Sequence, residues 1–296
     1  MVIIAENYGQ LGNQLFGYAF LLGNAIAHDY ECGTNTFGPY RQLFDQARRS
    51  PLFRYPETIA PEKYLSPLPK SLFKRVAGRA WRRDGLTSIG STAIIDIRRT
   101  CDRRVEHFLL ESDEFQEIRR RHKRTYLLGY FFRDTPHLFE HREAITRHLR
   151  PAEAHRREVQ DFMTAFRDRA CTLVGVHIRR GDYRDYLGGR YYYENATYAR
   201  WMVQIQDSIP GPVQFLVAST DPFDDNDFGG LPIIKAPGNI VGDMFTLAEC
   251  DLIMGPPSSF SGWASFQRLT PLLHLRERDH DVRPELFAPL NLETAP

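Results

Sequence analysis

In the run Val174-Gly175-Val176-His177-Ile178-Arg179-Arg180-Gly181-Asp182-Tyr183, an apolar segment ends in an imidazole, two guanidiniums and a Gly-Asp turn. Side chains of these types at the end of a buried strand can hold an anion. A guanidinium is a planar fork of donors that matches a diphosphate bidentately and stays charged at any working pH. A plainer reading pairs Arg179 or Arg180 with Asp182 or a neighbouring carboxylate, and these residues alone leave both open. The embedded Arg180-Gly181-Asp182 is also an attachment tripeptide, but directly after a core strand it is incidental.

Three further segments carry usable chemistry. Tyr8-Gly9-Gln10-Leu11-Gly12-Asn13-Gln14 lies between an apolar strand and an apolar helix; Gly9 and Gly12 permit close backbone approach, and Asn13 is placed to cap the helix and expose an amide donor. The turn Ser219-Thr220-Asp221-Pro222 offers a carboxylate that can accept from the N1 and N2 donors of guanine, or can simply cap the turn. Pro256-Pro257-Ser258-Ser259-Phe260-Ser261 opens a helix, where backbone N–H groups and hydroxyls suit phosphate; Ser259 as an N-cap is the competing account. Trp263 is read as core in preference to a stacking wall.

The elements that must position these groups follow from periodicity. A strand over 2–5 leads through a loop to a helix over 13–28. Residues 33–90 are irregular and rich in proline, with short helical patterns near 40–49 and 64–76; such an insertion builds a binding surface or lid, or elaborates the scaffold. Strands follow at 93–97, 105–110 and 125–131, then helices at 136–149 and 154–167. The second half alternates: strand 173–178, helix 195–208, strands 213–219 and 232–236, helix 243–250, strand 252–254, and a helix from Ser259. Alternation of this kind means βαβ units in a doubly wound parallel sheet, whose ligands sit at the carboxyl ends of strands. On this reading the arginines, the Asp221 turn and the Ser258-Ser259 helix start share one edge of one sheet. Neither GxGxxG nor GxxxxGK[ST] is present, so any nucleotide is held by other means.

The bulk numbers narrow the class. A chain of 296 residues exceeds one comfortable core, and the expected division is 1–152 and 153–296. With 38 basic and 37 acidic side chains the net charge is +1, which argues against a nucleic-acid partner. Cations do cluster, at Arg119, Arg120, Arg121, Lys123 and Arg124 and at Arg98, Arg99, Arg103 and Arg104. A solvated face is the favoured reading; the sharper one is a surface for an anionic acceptor or for lipid head groups. Cys32, Cys101, Cys171 and Cys250 lack metal or CxxC spacing and read as buried thiols of a reducing compartment. No DxD-like metal site is evident, and neither a signal peptide nor a membrane span is recognised, so a cytoplasmic protein is expected. The sequon at Asn195 is then without consequence.

The order of GQLGNQLFGYAF, YLLGYF, HIRRGDY, YYYENATYARWM, the Asp221 turn and DMFTLAECDLIMGPPSSFSGWAS resembles the alpha-1,2-fucosyltransferase family, of the glycosyltransferase family 11 type. More distantly the chain is similar to alpha-1,6- and protein O-fucosyltransferases, which share the His-x-Arg-Arg element. The resemblance implies an α/β protein of the GT-B type, with two Rossmann-like domains facing across a cleft. The N-terminal domain would lie on the acceptor side and the C-terminal domain would bind the GDP-sugar. It implies GDP-fucose as donor and an inverting transfer without a metal or other cofactor. The expected acceptor is an oligosaccharide of galactose type, and peripheral membrane contact is expected where that glycan is lipid-linked. By the same resemblance Arg179, helped by Arg180, would clamp the β-phosphate; His177 and Asp221 would contact guanine or ribose. Ser258 and Ser259, with Phe260 at the same helix start, would hold the diphosphate. Asn13, beside Gly12, would approach the reacting sugar. Departures from the family pattern are Gly262-Trp263 in place of two aromatics and Asp221-Pro222 in place of two acids.

Charge dictates the expected mechanism. Cleavage of the fucose–GDP bond builds negative charge on the β-phosphate, which preorganised guanidiniums stabilise. Asp182 and Glu194 are the candidate bases for the attacking hydroxyl, each with a plainer role: Asp182 as turn former or arginine partner, Glu194 at a helix start. Two rivals remain: a transferase of another GDP-sugar, and a non-catalytic protein that binds nucleotide sugars or phosphoglycans.

Overall fold

Val2, Ile3 and Ile4 are all buried, and they form the strand β1 (Val2–Ile4) around which the first half of the chain is built. A computed structural model describes residues 1–6, 8–46, 52–57, 85–98, 107–168 and 170–292. Two units emerge, Met1–Ala152 and Glu153–Pro296.

In the first unit, β1 is joined by the helix α1 (Leu11–Ala27) to a parallel neighbour, β2 (Cys32–Thr34). The sheet runs β3 (Phe53–Tyr55), β2, β1, β7 (Arg124–Leu128), β5 (Thr92–Asp96), β4 (Gly85–Ile89). Its four inner strands are parallel, and β3 and β4 are antiparallel edges. β6 (Phe108–Leu109) pairs with β8 (Phe132–Arg133) in a separate ribbon. α1 is buried along most of its length, which forces its Asn24 to find partners inside. The Asn24 amide donates to Leu110 O (3.0 Å) and to Asp134 Oδ2 (2.7 Å), and its oxygen accepts from the Tyr30 hydroxyl at 2.7 Å.

α2 (Asp113–Arg121) was not anticipated, although its signals are present: Ser112 accepts from Phe115 N–H, acids fill the first turn and arginines the last. Those arginines are engaged. Arg119 donates to Gln116 and lies over the Tyr30 ring, and Arg121 pairs with Glu117, which favours the solvated-face reading of this cluster. Arg98 of the other cluster pairs with Asp96 and Glu6 inside the unit, while Arg99, Arg103 and Arg104 lie outside the described residues.

Several boundaries differ from expectation. The strand expected over 125–131 ends at Leu128, because Gly129 turns the chain at φ +124° and a Cβ there would lie 2.4 Å from Ile97 Cγ1. The single helix expected over 136–149 is two, α3 (Thr135–Glu140) and α4 (Arg142–His148), with His141 between them at ψ 18°. Of the expected strand 105–110 only β6 lies among the described residues. In the segment read as irregular, β4 is a regular strand, Gly38–Leu43 is a 3-10 turn, and the helical pattern at 64–76 lies outside the described residues. Cys171 is half-exposed, unlike the buried Cys32 and Cys250; Cys101 lies outside the described residues.

The second unit begins with α5 (Glu153–Phe166) and β9 (Thr172–Ile178), whose residues 173–178 are buried without interruption, as a strand covered on both faces requires. α6 (Asn195–Ser208), β10 (Val213–Ser219), β11 (Ile233–Lys235), α7 (Ile240–Ala248), β12 (Leu252–Gly255), α8 (Ser259–Arg268) and β13 (Leu272–His274) follow. All five strands are parallel, in the order β11-β10-β9-β12-β13. Val174, Val176 and Ile178 face one side and pack with Tyr198, Trp201, Met202 and Ile205 of α6. Gly175 faces the other side, against Leu247 of α7 and Cys250. Helices therefore cover both faces, as in a Rossmann-like sheet. Trp263 of α8 is fully buried and belongs to the core.

Candidate functional site

At the carboxyl edge of the second unit's sheet, β10, β9 and β12 are neighbours, so the sequence segments that follow them emerge side by side. The register confirms this: Ala218 lies opposite His177 and Met254 opposite Val176. Three of the four chemistry-bearing segments thus share an edge. The fourth, Tyr8 to Gln14, belongs to the first unit.

His177 is the penultimate residue of β9 and is 4 % exposed. Its ring packs against Phe260 at 4.8 Å between centroids, and its Nδ1 is buried without a hydrogen-bond partner among the described residues. Burial, with the charge of Arg179 adding, pushes this imidazole down to about 3, so it is neutral at any ordinary pH. The close approach of β12 depends on Gly255, where a Cβ would lie 2.7 Å from His177 O. His274, opposite Gly255 on β13, is a second imidazole at this edge, pushed down to about 4 chiefly by burial. Sequence reasoning missed it; its only signal is its place at the end of a short strand.

Arg179 is paired with the carboxylate of its own turn. Its Nη2 donates to Asp182 at 2.9 Å and 3.0 Å, and its guanidinium lies 5.3 Å from the centroid of the Tyr183 ring. Arg180 Nη2 donates to Asn195 Oδ1, and the Asn195 amide donates to Asp227 at 2.7 Å. The Nε atoms of both arginines are buried and have no partner among the described residues, so each guanidinium keeps donor capacity. Asp182 accepts both of the Arg179 bonds and is more than half exposed. Glu194 is the residue before α6; it makes no side-chain cap bond and is exposed.

The Asp221 turn is not held by Asp221. The Ser219 hydroxyl accepts from Asp221 N–H (3.2 Å) and donates to Asp221 O (2.9 Å), which leaves the Asp221 carboxylate with no partner among the described residues. The helix cap is likewise displaced by one residue from expectation: Ser258, not Ser259, is the N-cap of α8 and accepts from Phe260 N–H at 3.2 Å. Ser259 is the first helical residue, its hydroxyl unpartnered among the described residues, at a helix N-terminus of the kind that favours anions. Tyr183 ties this start to β9 by donating to Pro257 O, and burial pushes its phenol up to about 12.

In the first unit α1 starts at Leu11, so Gly12 and Asn13 are helical and Asn13 is not a cap; the N-cap position is Gln10, without a side-chain bond. The Asn13 Oδ1 instead accepts from the Tyr130 hydroxyl at 3.0 Å. Nearby strand ends carry Glu6, whose carboxyl burial raises above its usual range despite the Arg98 ion pair.

The chain does contain two DxD triplets that sequence reasoning missed: Asp279-His280-Asp281, whose acids pair with Arg200 and Arg283, and Asp225-Asn226-Asp227. The carboxylates of the latter are engaged as well: Asp225 pairs with Lys235 at 3.0 Å, and Asp227 accepts from Asp224 N–H and from Asn195. Among the described residues no group of three or more His, Cys, Asp or Glu is placed to hold a metal ion, and no helix is long and apolar enough to cross a membrane.

No family model and no curated protein matches the sequence. Solved structures do match in fold. A point mutant of Arabidopsis thaliana FUT1 in complex with GDP superposes with a TM-score of 0.57 at 11% identity, over 97% of this chain and 73% of that one. NodZ alpha-1,6-fucosyltransferase soaked with GDP-fucose gives 0.54 at 14% identity, over 93% and 94%. POFUT1 in complex with GDP gives 0.50 at 12%, over 91% and 95%. The α/β architecture of this chain, two Rossmann-like units, is thus of the GT-B type.

Proposed function

We propose that this chain is an inverting glycosyltransferase that moves fucose from GDP-fucose to a hydroxyl of a galactose-type glycan in alpha-1,2 linkage, without a metal. The observation that carries the reading is the convergence, on one sheet edge, of the unpartnered Asp221 carboxylate, two arginines with spare donors, and the Ser258-Ser259 helix start. Neighbours of the same fold, solved with GDP and with GDP-fucose, support a guanosine diphosphate sugar as the ligand of such an edge.

In this reading Asp221 accepts from guanine, and His177 on its Phe260 platform contacts guanine or ribose. The α8 N-terminus with Ser258 and Ser259 holds the diphosphate, and Arg179 and Arg180 take the charge that develops on the β-phosphate as the sugar departs with oxocarbenium character. The donor half is residues 153–296 and the acceptor half residues 1–152, to which Gly12 and Asn13 belong. A strongly dissociative transition state needs no strong base, consistent with the engagement of Asp182.

Incubation with labelled GDP-fucose, GDP-mannose and UDP-galactose, each with a β-galactoside acceptor and with or without EDTA, tests the proposal. Transfer from GDP-fucose alone, indifferent to EDTA, is expected. Transfer from another GDP-sugar, or tight GDP binding without turnover, overturns it in favour of the corresponding rival.

A further inference from the structure

We infer that Tyr8, Tyr130 and Phe131 form a stacking shelf for the apolar face of a neutral pyranose, with the Asn13 amide placed beside it to bind a sugar hydroxyl. As the acceptor subsite this shelf rests on the transfer reading above; as a sugar site it stands without it.

The placement comes from the sheet. β1 and β7 are parallel neighbours, so the loops that follow them, carrying Tyr8 and Tyr130-Phe131, emerge together at the carboxyl edge of the first unit. The Tyr8 and Tyr130 rings lie 6.1 Å apart at 33°, and Tyr130 and Phe131 lie 5.2 Å apart at 73°. All three are half-buried, whereas Phe16, Tyr18, Phe20 and Tyr126 of the same unit are buried. Half-buried aromatic side chains suit ligands with one apolar and one polar side, and the CH-bearing face of a pyranose is such a surface.

Arg133 fixes this shelf. Its guanidinium lies 4.9 Å from the Phe20 ring centroid, 5.0 Å from that of Tyr130 and 5.8 Å from that of Phe131, and Nη1 donates to Tyr130 O and Phe132 O. It has no carboxylate partner among the described residues, so ring faces and carbonyls carry its charge. Committed in this way, the cation stiffens the shelf and is not presented as an anion site, which is why the ligand is a neutral sugar. The Tyr130 hydroxyl donates to Asn13 Oδ1, which orients the amide and leaves Nδ2 as a donor without a partner among the described residues. Gly9 suits this place: its φ is +65°, and a Cβ there would lie 2.1 Å from Asn13 Nδ2 and displace the amide.

The test uses the full chain, methyl β-galactopyranoside as probe and saturation-transfer NMR without nucleotide, alongside calorimetry with GDP. Tyr8→Ala combined with Phe131→Ala is expected to weaken galactoside binding about tenfold or more while GDP affinity stays within about twofold. Tyr130→Phe, which keeps the ring and loses the bond to Asn13, is expected to weaken galactoside binding by about threefold. Unchanged galactoside affinity in the double variant, or no galactoside binding to the parent protein, overturns the shelf. Galactoside binding that is lost in the variants of a protein that never transfers fucose keeps the shelf and removes the transfer reading, so the two failures are distinguishable.

Discussion

Arg179 and Asp182 hold each other three residues apart, the arginine Nη2 at 2.9 Å from one carboxylate oxygen and 3.0 Å from the other. Asp182 is over half exposed and Arg179 is not, so the pair aims a well-buried guanidinium from a solvent-facing anchor. On the proposed reading Asp182 positions this guanidinium and does not itself take the proton. Asp182→Asn is expected to lower saturated turnover by less than about tenfold and to leave the pH–rate profile in place, whereas loss of a general base costs about 10²- to 10⁴-fold. Steady-state kinetics across pH decides between them.

Arg179→Lys is expected to lower transfer by about 10²- to 10³-fold, the cost of removing a preorganised donor from a developing negative charge. Lysine keeps the charge but cannot form the planar fork. Near-parental turnover would remove Arg179 from the reaction.

Because its carboxylate has no partner among the described residues, Asp221 is free to be spent on the ligand. Asp221→Ala is expected to weaken GDP binding by about 10- to 100-fold, the range of a hydrogen bond to a charged group, and to slow saturated turnover less. Calorimetry with GDP and with ADP measures this, and the preference for guanine should fall with it.

Gly255 lies against His177, and the added methyl of Gly255→Ala must push apart β12 and β9 at the candidate site. A stability loss of about 1–3 kcal/mol is expected, with GDP affinity falling alongside. A variant of parental Tm and parental affinity would show that the strands approach less closely than described.

Acid stability follows from buried imidazoles. Burial holds His177 at about 3 and both His148 and His274 at about 4, below the ordinary value of 6.5. As pH falls below the ordinary value the unfolded chain takes up protons that the native chain refuses. The stability these groups confer is therefore full above that value and lost as pH falls toward their folded values. Each contributes about 2 kcal/mol of loss between about pH 7 and about pH 5. Urea unfolding at the two pH values should show a shallower dependence in His148→Gln than in the parent.

The second unit was legible where apolar runs are long and cleanly bounded: α6 and β10 fall at Asn195–Ser208 and Val213–Ser219 as periodicity expects, and the strand-end chemistry of His177, Asp221 and Ser258 follows from β9, β10 and β12. The losses have physical causes. β13 has only Leu272–His274 to announce itself, so His274 went unseen. Which residue caps α8 depends on backbone angles that two adjacent serines do not distinguish. Asn13 reads as a cap by type, yet α1 extends two residues earlier, and its Oδ1 accepts from the Tyr130 hydroxyl beyond a strand end distant in sequence. The Asp225-Asn226-Asp227 triplet shows the converse, a motif by spacing whose acids are occupied by Lys235, Asn195 and a turn.

On the proposed reading the Arg179 guanidinium receives the outer phosphate of a guanosine diphosphate. Titration calorimetry with GDP and GMP, on the parent and on Arg179→Lys, tests it most directly. The parent is expected to prefer GDP over GMP by about tenfold or more and the variant to lose most of this preference, the β-phosphate having lost its fork. Equal preference in both proteins would contradict it.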